Sequence, residues 1–541
     1  MINEIIDQIK SFREKLHKLI DRRRDSAMDL IDSLSSNTDA SSVTQLSQNK
    51  FFRRKYSSIV DAISNFFPDE KSSSVNPVVQ SKTMVIKRSR NKEMQQKDLN
   101  CLVSGMIPVQ NSRNYFLFGV DCTPISRPFA YKLADRHVTY EPNPILGNKP
   151  ITLGHSLSSL VYLPEKRKNS WVLPLSQKRV PSTEKGAEVG LLQMNELLGE
   201  AGLPFSDKLV VIVGDTNYGT RGCQKIAKQK ENLILLTRAR SNRKFYYSPD
   251  QAKTGVTGHQ RWYGDDMKLS NEKTHRPADH EEDIERVTRK GKTLTIKISC
   301  WYDMRMRGHK DFATHEYPFT LVRVVAINND GKNVYKKPLW LMIFGKKRME
   351  LQAVDIYDNY CQRYDIEHFF RFAKQRLLLD SYQTPEVKHE ETWWQFVSLA
   401  YAQLYLCREL SEKLPNPWEI YLPNYQAPSE CTPTQVLRDF SRLIKQEIGT
   451  PAKEPKPRGK AQGRKKGYHP KERTTKPVVF KGKSEKKSNN IITQQFEKST
   501  SPTKPKSYHK ILEKLTALVE KNGMTITDFL KKLNSDFPLS G

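Results

Sequence analysis

The chain has few cysteines for its length, and none of them is arranged as metal ligands usually are. The seven cysteines among 541 residues are scattered and odd in number. There is no Cys-x2-Cys pair and no cluster of Cys with His, which excludes the common structural zinc sites. We therefore expect reduced structural thiols, the usual state of cysteine in the cytoplasm.

Long hydrophobic runs are also absent. No apolar stretch approaches the roughly 20 residues that a membrane-spanning helix needs, and no signal peptide opens the sequence. The Walker A loop, Gly-x4-Gly-Lys-Ser/Thr, is missing as well, which excludes a phosphate-binding P-loop. These absences predict a protein that does not enter a membrane and does not use a P-loop.

Negative charge is scarce compared with positive charge. The chain has 60 Asp and Glu against 90 Lys and Arg, a net charge of +30. Such an excess favours a polyanionic partner, by default a nucleic acid, with a membrane surface as the weaker alternative. At this length the chain exceeds one compact core, so we expect several domains.

The stretch with the most chemical information is residues 360–374, YCQRYDIEHFFRFAK. It contains no Gly or Pro and follows the apolar run 339–344, a pattern that predicts a strand, a turn and then a helix. At about 100° per residue, one face of that helix carries a carboxylate framed by basic groups and a phenol. These side chains are Tyr360, Arg363, Glu367, Arg371 and Lys374. An ordinary surface helix with i,i+4 ion pairs is the alternative interpretation.

The spacing Tyr360-x2-Arg363-x3-Glu367-x6-Lys374 resembles the Tyr-Arg-Glu-Lys signature of a large superfamily of bacterial insertion-sequence transposases. These are cut-and-paste enzymes with an Asp-Asp-Glu catalytic triad on an RNase H-like (retroviral integrase-like) fold. The resemblance implies that Glu367 is the third acid. It also implies that Arg363 and Lys374 hold phosphates of the transposon end, with Tyr360 beside them and Arg371 on the same DNA-binding face.

Two acids upstream follow apolar runs typical of buried strands. Residues 115–120 lead into Asp121, and the β-branched run 209–213 leads through Gly214 into Asp215. Strand-end acids occur in many α/β folds and are not specific by themselves. By resemblance, Asp121 and Asp215 correspond to the first and second acids of the triad.

Breaking a DNA phosphodiester requires an aligned nucleophile and stabilisation of charge on the leaving oxygen. Two divalent cations about 4 Å apart provide both. Magnesium prefers oxygen ligands and keeps several waters, so three carboxylates and a substrate phosphate are enough. We therefore expect Asp121, Asp215 and Glu367 to be catalytic and to bind two Mg²⁺ or Mn²⁺ ions.

The 151 residues between Asp215 and Glu367 exceed what an RNase H-like core needs there. The stretch 240–337 is polar and rich in turns and contains strand-like runs, which favours a mainly β insertion. Transposases with this signature carry such an insertion, and it can supply an aromatic side chain that stacks on DNA. Trp262 and Trp301, with arginines nearby, are the DNA-binding candidates, and burial in a core is the alternative for each.

The ends of the chain differ in character from the centre. Residues 1–105 indicate helices, and the basic stretch 51–56 in front of an apolar helix suits either DNA-end binding or a helical bundle with solvated lysines. Residues 451–500 hold 15 Lys or Arg against 4 Asp or Glu, a net of 15 − 4 = +11, which predicts disorder. Contact with phosphates and a plain solvated linker are the two interpretations of this segment.

The sequence thus predicts a multidomain α/β protein with an RNase H-like catalytic core. Its expected parts are a helical N-terminal DNA-binding domain (1–105), two core segments (106–239 and 338–448) around a β-rich insertion (240–337), a basic disordered linker (449–507) and a helical C-terminal module (508–541).

The expected function is a DNA transposase that binds double-stranded DNA, both the terminal inverted repeats and the target. We expect a homodimer that synapses two ends, in the bacterial cytoplasm at the nucleoid, without membrane contact. The alternatives are an RNase H-like nuclease that does not join strands and a non-catalytic DNA-binding protein derived from a transposase.

Overall fold

The computed structural model describes most of the chain, with gaps at several loops and at the C-terminal end. The described residues are 2–68, 91–141, 150–165, 167–249, 261–288, 291–308, 312–422, 430–456, 463, 467–469 and 472–480. The predicted helical module at residues 508–541 lies outside them, and so does most of the predicted basic linker.

Ten strands in the described residues form one mixed sheet, and two more form a small separate sheet. In chain order they are β1 (Tyr115–Ser126), β2 (His137–Tyr140), β3 (Ile151–Tyr162), β4 (Leu173–Val180), β5 (Leu209–Gly214), β6 (Leu233–Ala239), β7 (Lys244–Tyr246), β8 (Asp266–Lys268), β9 (His280–Val287), β10 (Thr293–Met304), β11 (Phe319–Asn328) and β12 (Leu339–Phe344).

The large sheet has the order β2-β3-β1-β5-β6-β12-β11-β10-β9, with β4 also paired to β3. The central strands β1, β5 and β6 run parallel to one another, and the other neighbours are antiparallel. All six residues of β5 are buried, as expected for a parallel strand covered on both faces. The centre of the sheet is therefore rigid and dry, a suitable support for a catalytic site.

Strands β9, β10 and β11 come from the stretch predicted to be an insertion. They join the sheet through β12, which pairs with β6. Their inward side chains belong to the same hydrophobic cluster as those of β1 and β5. These three strands therefore extend the central sheet, whereas β7 and β8 of the same stretch form the small separate sheet.

Eleven α-helices in the described residues surround the sheet. They are α1 (Ile2–Leu19), α2 (Arg24–Ser35), α3 (Val43–Leu46), α4 (Ser57–Asn65), α5 (Lys92–Ser104), α6 (Gly186–Leu198), α7 (Arg221–Gln229), α8 (Ala353–Gln362), α9 (Tyr364–Arg376), α10 (Val387–Lys413) and α11 (Pro433–Leu443). Among the described residues, none of the helices combines the length and apolar character needed to cross a bilayer.

Helix α10 joins the N-terminal helices to the sheet. It packs against α1, α2, α4, α11 and β4. Where α1 and α2 meet α10, the buried Arg13 of α1 donates to both carboxylate oxygens of Asp32 on α2, at 2.6 and 2.9 Å. Gln403 of α10 bonds to both residues and donates to Asp32 at 3.1 Å. This polar network connects the three helices.

The basic residues around position 53 are engaged inside the molecule. Arg53 donates to the buried carboxylate of Asp29 at 2.7 Å, and Arg54 pairs with the same carboxylate. The two arginines also donate to the backbone carbonyls of Ala452 and Lys453. Their charge is therefore used to tie residues 452–453 to the N-terminal helices, and these two side chains are not positioned as free phosphate contacts.

The helix predicted over residues 360–374 is divided into α8 and α9 at Arg363. Arg363 keeps right-handed helical dihedrals (φ −49°, ψ −30°), but the hydrogen bonds shorten to i→i−3 around it. The Arg363 N–H donates to Tyr360 O at 3.2 Å, and Ile366 N–H donates to Arg363 O at 3.0 Å. The tight turn carries the chain from α8 onto the face of the sheet as α9.

The contact between α9 and the sheet depends on a glycine in β1. A Cβ built on Gly119 would lie 2.5 Å from the Ile366 Cδ1 atom and 3.2 Å from a methyl of Leu163. Gly119 is two residues before Asp121, and Ile366 directly precedes Glu367. The missing side chain thus lets the helix approach the strand where the two acids lie.

We expect Gly119→Ala to lower the free energy of unfolding by about 1–3 kcal/mol, because the added methyl overpacks this contact. Ile366→Val removes the Cδ1 atom that the methyl would strike. In urea unfolding, the valine substitution should therefore cost less in the alanine background than in the wild type. Additive losses would contradict the close contact.

Candidate active site

Asp121 and Asp215 lie side by side at the centre of the sheet. Val120 of β1 pairs with Gly214 of β5, the last parallel pair of these strands, and each acid is the next residue. Asp215 caps a 3₁₀ turn at Thr216–Tyr218, since its carboxylate accepts from the backbone N–H and the side-chain amide of Asn217, both at 2.8 Å. The two acids are therefore presented by rigid backbone.

Glu367 reaches the same place from α9, and one guanidinium connects it to Asp121. Arg363 Nη1 donates to Asp121 Oδ2 at 2.6 Å, and Arg363 Nη2 donates to Glu367 Oε1 at 3.0 Å. The side chains of Arg363 and Asp121 are mostly buried, whereas that of Glu367 is partly exposed. The predicted acids thus surround a buried cation supplied by the chain.

The electrostatics of the site show that the other two acids act on Asp121. Burial raises the pKa of Asp121 to about 6; Arg363 opposes this effect, and the charges of Asp215 and Glu367 add to it. Burial also raises the pKa of Asp215, against hydrogen bonds from Asn217 and the positive charges of Arg363 and Arg240. A cluster of carboxylates in this state favours an additional positive charge.

The other residues of the signature lie around this cluster. The Arg363 guanidinium carbon is 5.8 Å from the ring centroid of Tyr360, whose pKa is raised by burial. Lys374 donates to the carbonyl of Pro124 on β1 at 2.7 Å, and burial lowers its pKa. Arg371 is exposed on α9. The structure thus places Tyr360 beside Arg363 and Lys374 against β1, and it leaves Arg371 exposed to solvent.

The two candidate tryptophans differ sharply in exposure. Trp262 is 49% exposed and stacks on His315, with ring centroids 4.3 Å apart and planes 7° apart. Trp301 is only 4% exposed, packs against Trp340, and donates its indole N–H to Arg276 O at 2.9 Å. Trp301 is therefore a core residue with no open ring face, which argues against the predicted stacking role, whereas Trp262 remains a candidate.

Sequence reasoning missed two arginines at the end of β6. Arg238 and Arg240 are exposed, and their charges act on Tyr360 and Asp215 respectively. Because β6 runs parallel to β5, its carboxyl end lies at the same edge of the sheet as Asp215. The run of apolar residues followed by Thr-Arg-Ala-Arg was the available signal, since parallel strands end together.

Among the described residues, no group of three Asp, Glu, His or Cys side chains is arranged as a metal site. The acids fit a hard divalent cation in donor type and in their mutual repulsion. The Arg363 guanidinium lies between two of them, so a cation on Asp121 and Glu367 would compete with it. The observed arrangement is thus a cluster of oxygen donors neutralised by an arginine.

Comparison with protein families gives a match for the part of the chain that contains Asp215 and Glu367. Residues 177–402 match the family described as Transposase DDE domain. Over this range the chain is similar to a transposase DDE domain. The matched range includes Asp215 and Glu367 and begins after Asp121, so it does not cover the first of the three predicted acids. Comparison with the curated proteins finds no match.

We expect Arg363→Ala to lower the free energy of unfolding by about 3 kcal/mol or more, because it leaves the mostly buried carboxylate of Asp121 without its cation. Arg363→Lys should recover part of the loss, since an ammonium lacks the fork that reaches two carboxylates. Chemical denaturation measures both.

The control for this experiment is Arg371→Ala on the same helix. This arginine is exposed, so its removal should change the free energy of unfolding by about 0.5 kcal/mol or less. Adding Asp121→Asn to Arg363→Ala should restore stability, because it removes one of the stranded charges. Equal losses for the two arginines would show that the bridge has no energetic role.

Proposed function

We propose that the protein is a cut-and-paste DNA transposase that cleaves the inverted-repeat ends of an insertion sequence and transfers them into target DNA. The observation that carries this proposal is the placement of Asp121, Asp215 and Glu367 around one guanidinium within and beside a transposase DDE domain. The order of the central strands supports an RNase H-like core. Strands β2, β3 and β1 are antiparallel neighbours, and β5 and β6 then run parallel to β1.

In this proposal, Asp121, Asp215 and Glu367 hold two Mg²⁺ or Mn²⁺ ions. Bound there, the ions would activate the attacking oxygen and stabilise the leaving oxygen. The carboxylates of Asp121 and Asp215 would be held in fixed positions, because each acid follows a run of buried strand residues. Asn217 also holds the Asp215 carboxylate in place. Glu367 is on a helix and more exposed, so it can adjust to the substrate.

The basic residues then bind the DNA backbone. Lys374 uses one of its three N–H donors on Pro124 O, which leaves two for a phosphate. Arg363 has an Nε–H without a hydrogen-bond partner among the described residues. Arg238, Arg240 and Arg371 are exposed around the acids and suit phosphates on either side of the cleaved bond.

Arg363 would also couple DNA binding to cation binding. A guanidinium that turns to a phosphate releases the carboxylates, which then repel one another and attract divalent cations. Before DNA arrives, the same guanidinium keeps the acids paired. In this proposal the site is therefore completed by its substrate, with the two ends of the element synapsed by a homodimer.

We expect Asp121→Asn, Asp215→Asn and Glu367→Gln each to reduce cleavage of a terminal-repeat duplex at least about 10³-fold while binding of the duplex changes little. These substitutions keep side-chain size and remove one ligand charge. The measurement is gel analysis of a labelled duplex with and without Mg²⁺, alongside a binding titration.

Asp365→Asn is the matched control, because this acid is on the same helix two residues before Glu367 and is not assigned to the site. Its cleavage rate should stay near that of the wild type. Pre-cut ends supplied with a target plasmid separate a transposase from a nuclease that does not join strands. Specific binding without cleavage in Mg²⁺ or Mn²⁺ would leave only a DNA-binding role.

Trp262 is proposed to stack on an unpaired base near the cleaved end. Its indole is half exposed and backed by His315, so one face is supported and part of the ring is open. Trp262→Ala should reduce the fluorescence quenching of 2-aminopurine placed at the terminal base, and Trp262→Phe should retain it. Equal quenching in all three proteins would exclude this role.

A further inference from the structure

The backbone pairing that brings Asp121 and Asp215 together ends one residue before them. Val120 of β1 and Gly214 of β5 are the last paired residues of these two strands. Strand β1 continues to pair with β3 on its other side as far as Ser126, whereas β5 ends at Gly214. The sheet therefore places the two acids side by side, and contacts beyond its last pair orient their carboxylates.

Tyr218 makes such a contact between the two sides. It is buried and closes the 3₁₀ turn that Asp215 caps, since its N–H donates to Asp215 O at 3.2 Å. Its phenol oxygen lies 3.8 Å from Cys122 Sγ, within hydrogen-bonding distance for sulfur. The Cys122 N–H in turn donates to Asp121 Oδ1 at 2.8 Å. Tyr218 is thus connected to both acids, directly to one and through Cys122 to the other.

Helix α6 packs closely on the phenol and on the thiol. A Cβ built on Gly190 would lie 2.7 Å from the Tyr218 ring and 2.9 Å from its oxygen. A Cβ built on Gly186, one turn earlier, would lie 2.7 Å from Cys122 Sγ. Because no side chain larger than hydrogen fits at these two positions without a shift, the two groups have little room to move. The contact between them is therefore held from behind by a helix.

Both groups of this contact are uncharged near neutral pH. Burial raises the pKa of the Cys122 thiol to about 11, and burial also raises the pKa of the Tyr218 phenol. A neutral thiol is a poor ligand for a hard divalent cation, which prefers oxygen donors. The pair therefore adds no negative charge beside the three carboxylates, and its contribution is to hold them in position.

We propose that Tyr218 is a positioning residue for the reaction: through Cys122 it fixes the orientation of the Asp121 and Asp215 carboxylates relative to each other, and it thereby raises the affinity of the site for divalent cations. This inference rests on the proposed function, because it takes these acids as the cation ligands. Magnesium requires near-ideal octahedral geometry, so a change in the direction of one carboxylate weakens its binding.

Tyr218→Phe tests this inference because it removes the phenol oxygen and keeps the ring that packs on α6. We expect an about 10-fold higher Mg²⁺ concentration for half-maximal cleavage of a terminal-repeat duplex, the size of effect found for residues that orient metal ligands. The cleavage rate at saturating Mg²⁺ and the binding of the duplex without Mg²⁺ should stay near those of the wild type. A general loss of structure would lower both.

Cys122→Ala removes the other half of the same contact. It should shift the Mg²⁺ dependence to a similar extent, and the double variant with Tyr218→Phe should shift it no further than either single one. Tyr115→Phe is the matched control: Tyr115 is buried on β1 and its phenol donates to Asn359 Oδ1 at 3.1 Å, six residues before Asp121. Its Mg²⁺ dependence should be that of the wild type.

Binding of Mn²⁺ gives a readout that needs neither DNA nor turnover. The electron paramagnetic resonance signal of free Mn²⁺ falls as the ion binds, and Asp215→Asn defines the background. Tyr218→Phe should weaken binding about 10-fold, and Tyr115→Phe should leave it unchanged.

The inference is overturned if Tyr218→Phe keeps the wild-type dependence on Mg²⁺, or if the Tyr115→Phe control shifts as far. It is also overturned if cleavage falls at saturating Mg²⁺ while the half-maximal concentration is unchanged. Failure of the proposed function is distinguishable: the wild type would then not cleave the duplex, and the Mn²⁺ titration would still decide whether Tyr218 acts on the cation site.

Discussion

The structure depends most on one guanidinium placed among carboxylates. Three acids that face a common, mostly buried space repel one another, and burial is the largest cause that raises the pKa of Asp121 to about 6. Arg363 opposes this by donating to Asp121 and Glu367 from the turn between α8 and α9. The break between these helices is therefore tied to the electrostatics of the site, because it places Arg363 between strand and helix.

Arg363 connects acids on two different elements, the sheet and helix α9. The sheet holds Asp121 and Asp215 in register across parallel strands, so their separation is set by the backbone. The helix carries Glu367, and its distance from the sheet is set by the contact of Ile366 with a strand residue that has no side chain. A substitution at Gly119 would therefore change the position of Glu367 through packing, without altering any of the acids.

Much of the site could be predicted from the sequence because its parts have local patterns. The apolar runs before Asp121 and Asp215 correspond to β1 and β5, and the helical face around Glu367 corresponds to α9. The turn at Arg363 had no local signal, since no Gly or Pro marks it. The pairing of Arg54 had no local signal for a related reason: a positive charge in a sequence does not show that its partner is a buried carboxylate 25 residues earlier.

The same limit applies to Trp301, and it bears on the meaning of the +30 net charge. Trp301 is flanked by arginines in sequence, yet it is buried against Trp340, although it falls outside the alternation by which Ile296, Ile298 and Cys300 face the core. Several arginines, among them Arg13 and Arg127, are buried in internal pairs and hold elements together. The net charge therefore overstates the charge that is available to a polyanion, because part of it is held in these internal pairs.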